Sequence, residues 1–86
     1  MTLKQIAKFL KEDWGSYDAV ILRESGTILE VRERYFYRHG RSAETVAAKL
    51  LKDLDKKANL VIIDKGDHYA SWPKASYFWV KVCLAN

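Results

Sequence analysis

Apolar residues at Leu3, Ile6, Ala7, Leu10 and Trp14 recur every three to four positions, a spacing that gathers them on one stripe of an α-helix. Thr2 and Gln5 stand at the start of this run with the spacing of a capping box, in which the two side chains satisfy each other's free backbone amides. The pattern predicts a helix over about 3–14, with Gly15 placed to end it in a left-handed conformation. Lys4, Lys8 and Lys11 make a second stripe beside the apolar one, the ordinary signature of a solvated helix face.

The period then changes. Tyr17–Arg23 and Thr27 to about Arg38 are rich in branched and aromatic residues, with Ser25-Gly26 between them, which predicts a β-hairpin. His39-Gly40-Arg41 breaks the alternation, and Ser42 is placed to cap a second helix with Ala43, Val46, Ala47, Leu50, Leu51 and Leu54 on its apolar stripe. Asn59 is placed to close that helix. Leu60–Asp64 and Ser76–Leu84 predict two more strands, and the segment from Lys65 to Ala75 between them is long for a hairpin loop.

The order helix, strand, strand thus occurs twice. An offset of forty residues aligns Ile6 with Val46, Ala7 with Ala47, Leu10 with Leu50 and Asp13 with Asp53, and an offset of forty-one pairs Val20 with Val61 and Ile21 with Ile62. The expected fold is α+β: a four-stranded antiparallel sheet with both helices on one face, in the ferredoxin-like order with its first strand moved to the end. In that arrangement the second and fourth strands lie side by side in the middle. Alternation sends Leu29, Val31, Phe78, Val80, Val82 and Leu84 toward the helices. The opposite face receives Arg32, Arg34, Phe36 and Arg38 from one strand and Tyr77, Trp79, Lys81 and Cys83 from its neighbour.

At 86 residues the chain is expected to be one domain, 1–86. Its hydrophobic fraction of 49% with 30% charged residues is that of a chain able to bury a core. The longest apolar runs, Ala19–Leu22 and Leu60–Ile63, fall far short of the roughly 20 residues that span a bilayer, so no membrane is expected among its partners. Lysines interrupt the apolar residues of the first helix, which excludes the apolar core of a secretory signal there. Cys83 is the only cysteine, so no internal disulfide can form, and a lone thiol suits a reducing compartment. The expected location is the cytoplasm. The net charge of +4 suits an anionic partner, although lysine also serves solubility alone.

The basic and aromatic sheet face is the sharpest chemical feature. Arginine neutralises phosphate, while Tyr77, Trp79 and Phe36 offer planes for unpaired bases. Arg32, Arg34, Arg38 and Arg41 crowd four guanidinium groups into ten residues, although Glu30 and Glu33 stand close enough to pair with some of them. Trp, Tyr and Arg are equally what protein interfaces enrich. The same face therefore fits a partner protein, a nucleoprotein complex or a second copy of the chain.

His68 and Trp72, in the segment expected to be a long loop, are further candidate contacts. Asp64, Asp67 and His68 are metal-ligand types, yet their spacing matches no established zinc or calcium site. No nucleophile, acid or base is arranged for catalysis, and the isolated glycines make no phosphate loop. Neither a metal nor a cofactor is expected. The expected function is a non-enzymatic domain that contacts RNA or single-stranded DNA through Arg32, Arg34, Phe36, Arg38, Tyr77, Trp79 and Lys81, with His68 and Trp72 nearby. Short basic chains without catalytic residues are also common among phage and mobile-element accessory proteins, which makes a protein-binding inhibitor or adaptor, or a homodimer through that face, the alternative.

Overall fold

The computed structural model describes residues 2–14, 17–34, 42–54, 58–69 and 76–85. Thr2 opens the first helix, α1 (Leu3–Phe9), with the expected box: its hydroxyl accepts from the Gln5 amide at 3.2 Å, and its own amide donates to Gln5 Oε1 at 2.8 Å. The helical path continues as a π-helical stretch over Leu10–Trp14, so the wider i→i+5 winding replaces the α pitch expected to hold through residue 14. Leu3, Ile6, Ala7 and Leu10 are all buried.

The hairpin pairs β1 (Ala19–Arg23) with β2 (Ile28–Arg34), Val20 opposite Val31 and Arg23 opposite Ile28. Its reversal takes in Glu24, Ser25 and Gly26 in succession, all at positive φ of 53°, 55° and 87°, wider than a two-residue Ser-Gly turn. Thr27 closes it with its amide and its hydroxyl both donating to the Glu24 carbonyl, at 3.2 and 2.7 Å.

Ser42 caps α2 (Ala43–Leu54). Its hydroxyl accepts from the Thr45 amide at 3.3 Å, and its amide donates to Thr45 Oγ1 at 2.8 Å. Ala43, Val46, Ala47, Leu50 and Leu54 are buried, but Leu51, expected on the same stripe, is 37% exposed; it stands one step round the helix from Leu50, on the rim of the buried arc.

The second hairpin corrects an expectation. β3 runs Leu60–His68 and pairs antiparallel with β4 (Tyr77–Leu84) along its whole length, through His68 opposite Tyr77. Residues 65–68, expected in a loop, are therefore strand. Asp64-Lys65-Gly66-Asp67 has poor β propensity, and the eight residues of β4 supply a template that overrides it. A register shift between Ile62 and Asp64 inserts Ile63 as a bulge residue, which resets which face each later side chain meets. Residue 59, expected as a helix end, extends the pairing: the Asn59 carbonyl accepts from the Ala85 amide at 3.0 Å.

The strands lie in the order β1-β2-β4-β3, all antiparallel, so β2 and β4 are central neighbours. Leu29 opposes Val82 and Val31 opposes Val80; with Val20 these four pack against Leu3, Ile6, Ala7 and Leu10 of the first helical segment and Val46, Ala47, Leu50 and Leu54 of the second in one core. Tyr17 ties the halves together, its hydroxyl donating to Asp53 at 3.3 Å with Lys49 Nζ over its ring at 5.2 Å. The forty-residue offset holds for the buried helix positions. The offset of forty-one does not hold for the strands, because Val20 is buried on the helix side while Val61, opposite Cys83 on the other face, is 47% exposed. No helix among the described residues is long and apolar enough to cross a membrane.

Candidate functional site

Opposite the helices, alternation along β2, β4 and β3 builds three rungs across the sheet. Glu30 faces Lys81, which faces Asp64; Arg32 faces Trp79, which faces Gly66; Arg34 faces Tyr77, which faces His68. On the outer strand Arg23 and Ile21 share this face, Ile21 directly opposite Glu30.

Glu30 anchors the first rung. Its carboxylate accepts from Arg23 Nε at 2.7 Å through one oxygen and from Arg32 Nε through the other. The Glu30 side chain is 5% exposed while Arg23 and Arg32 keep 41% and 28% of theirs in water, so the acid is packed beneath its two cations. Burial pushes the carboxyl pKa up, but the hydrogen bonds and charges of Arg23 and Arg32 outweigh it and hold it below the ordinary 4.5.

The second rung depends on an absent side chain. A Cβ built on Gly66 would stand 2.8 Å from Trp79 Cζ2, closer than real carbon contacts allow, and a tight 3.1 Å from its Cε2. The indole therefore rests on the bare backbone of β3, half-buried, with Lys81 Nζ 5.2 Å from its ring centre. On the third rung the Tyr77 and His68 rings stack at 5.0 Å with planes 21° apart. The Arg32 guanidinium lies 4.6 Å from the Tyr77 ring centre, within cation–π range. The Arg34 amide donates to Asp18 Oδ2 at 2.6 Å, pinning the end of β2 while the residue itself is exposed.

Arg32, Arg34, Tyr77, Trp79, Lys81 and Cys83 thus share one face, in the arrangement alternation implies. His68 joins them from a strand and not from a loop. Phe36, Arg38 and Trp72 lie outside the described residues. Asp64 and His68 face this side, whereas Asp67, opposite Phe78, faces the other, so the three metal-ligand types noted in the sequence do not converge. Sequence reasoning missed Gly66 as the seat of Trp79, and Arg23 as the second arm on Glu30. The one available signal was the glycine itself, an unfavourable strand residue that often marks close approach of another group.

The described part of the face carries Arg23, Arg32, Arg34 and Lys81 against Glu30 and Asp64, an excess of positive charge around two aromatic rings held down on the sheet. Such a surface can stack a planar group and neutralise anionic groups beside it. Comparison with family models, with curated proteins and with solved structures finds no match.

Proposed function

We propose that this chain is a non-enzymatic binding domain that takes single-stranded nucleic acid, RNA or DNA, on the open face of its sheet. The observation that carries the reading is Trp79 seated on Gly66, with Tyr77, Arg32 and Lys81 around it. A duplex keeps its bases stacked on one another, whereas a single strand can lay a base on the indole and its phosphates against Arg34 and Lys81. In fold terms the proposal is a permuted ferredoxin-like domain, supported by the strand order β1-β2-β4-β3 and the two helix-strand-strand halves.

Light scattering coupled to size exclusion, with and without a mixed single-stranded oligonucleotide at low and physiological salt, tests the reading. A monomer whose complex dissolves as salt rises supports it. Arg34→Ala and Lys81→Ala should each lower the slope of log affinity against log salt by about one, and Trp79→Ala should cost about 1–3 kcal/mol of affinity.

Two observations favour a protein partner. Glu30 already neutralises Arg23 and Arg32 in part, and Val61 adds exposed apolar surface beside Cys83 on the same face. A dimer that withstands salt, ignores the oligonucleotide and dissociates on Trp79→Glu would assign the face to protein contact and overturn the nucleic-acid proposal.

A further inference from the structure

A second surface lies on the helix side of the molecule, away from the three rungs. Leu22 faces that side, since it opposes Leu29, yet Leu22 is 36% exposed where Leu29 is fully buried. The first helical segment packs on both strands of the hairpin, with Val20 buried in the core, but leaves Leu22 at the end of β1 open. What remains is an open groove of about 450 Å³ between that segment and β1, floored by Ala7 and Leu22 and walled by Lys4, Lys8 and Lys11. The lysines are spaced i, i+4, i+7 and fall on one stripe. Glu12 is the only acid among the lining residues.

The groove also runs beside the outer edge of β1. β1 is the outermost strand, and among the described residues only β2 pairs with it. An edge strand presents a row of free amide and carbonyl groups, which natural sheets blunt or use. An apolar floor, a cationic wall and a free strand edge meet here, and each selects a different property of an occupant.

We infer that the β1 edge and the lysine groove together form a docking site for an extended acidic segment of a partner protein. The segment adds to β1 as a fifth strand through main-chain hydrogen bonds. Every second side chain faces the helices, and along that set apolar residues over Ala7 and Leu22 take turns with carboxylates that meet Lys4, Lys8 and Lys11. A domain with this site and a nucleic-acid face on opposite sides of the sheet can hold both partners at once. The docking site does not depend on the sheet-face reading.

The test uses a fluorescein-labelled peptide repeating Glu-Ser-Val-Ser (the Glu-Val peptide), in which Glu and Val share one strand face, followed by anisotropy against the whole protein. A peptide repeating Glu-Ser-Ser-Ser (the Glu-Ser peptide) and one repeating Lys-Ser-Val-Ser serve as controls. The Glu-Val peptide is expected to bind with an affinity that falls as salt rises, and both controls to bind at least roughly tenfold more weakly, a loss of one pair's worth of contact energy. Lys8→Glu with Lys11→Glu should abolish binding, and Leu22→Gln should weaken it severalfold; all three positions are exposed, and circular dichroism verifies that each variant folds. Oligonucleotide binding by these variants should equal that of the parent. Absence of Glu-Val binding, equal binding of the Glu-Ser peptide, or indifference to Leu22→Gln would overturn the proposal. Displacement of the peptide by laurate would reassign the groove to an anionic amphiphile. Self-association lost with Leu22→Gln would reassign it to a second copy.

Discussion

Glu30 holds two guanidinium groups at once, and its acidity gives that clamp a measurable pH signature. The unfolded carboxyl titrates near 4.5 and the folded one below it, so above the ordinary value the clamp contributes its full stability. That contribution fades as pH falls through the depressed folded value. Glu30→Gln should cost about 1–2 kcal/mol at neutral pH, less than a fully buried pair because both arginines remain partly in water. Urea midpoints of parent and variant should converge in acid; a gap that persists there would place the loss elsewhere. Gly66→Ala is the complementary case. The backbone tolerates the change, since Gly66 does not sit at positive φ, and stability should stay within about 1 kcal/mol of the parent. The indole must move, however, so oligonucleotide affinity should fall about as far as in Trp79→Ala. At the tip of the first hairpin the strain lies in ordinary residues: Ser25 sits at φ 55°, ψ 33°. Ser25→Gly should raise stability by up to about 1 kcal/mol in thermal melts, the relief of a left-handed L-residue less the added chain entropy.

Helices announce themselves through caps and stripes, and here both helix starts were legible from Thr2 with Gln5 and from Ser42. The α2 cap differs in detail, since Thr45 returns the bond where a Glu or Gln would be usual. Ser42→Ala should cost about 1 kcal/mol, seen as a lower urea midpoint. Strands were legible wherever alternation was apolar, which fixed the face of every residue from Leu29 to Arg34 and from Tyr77 to Leu84. It failed at β3, where the apolar run stops at Ile63 and Asp64-Lys65-Gly66-Asp67 carries nothing that local preference would call a strand. Those residues are strand because β4 is long and needs a partner for its backbone groups. His68 was consequently expected in a loop, and its stacking on Tyr77 could not be foreseen. The aromatic and basic character of the face was plain in the sequence. Its internal economy was not, because the clamp on Glu30 and the seat on Gly66 are cross-strand relations that only register reveals.

At the level of the whole molecule, side chains from both helices and three strands meet in a single core, and Leu50, fully buried, stands within it. Leu50→Ala should cost about 2–5 kcal/mol, a large part of the stability of so small a domain. Chemical denaturation with fluorescence and circular dichroism in parallel should show one coincident transition. The strand order carries a further consequence. β1 and β2 come from the first half of the chain and β4 and β3 from the second, so the halves join in the sheet along one seam, the pairing of β2 with β4 from Leu29 opposite Val82 to Arg34 opposite Tyr77. Each half is a helix on a two-stranded ribbon, with half a core exposed at the seam. The chain is in effect a covalent dimer of two unequal subunits, and severing it between residues 34 and 42 should yield pieces that are poorly folded alone but reassociate when mixed, a split reporter whose halves recognise each other through a β-ladder.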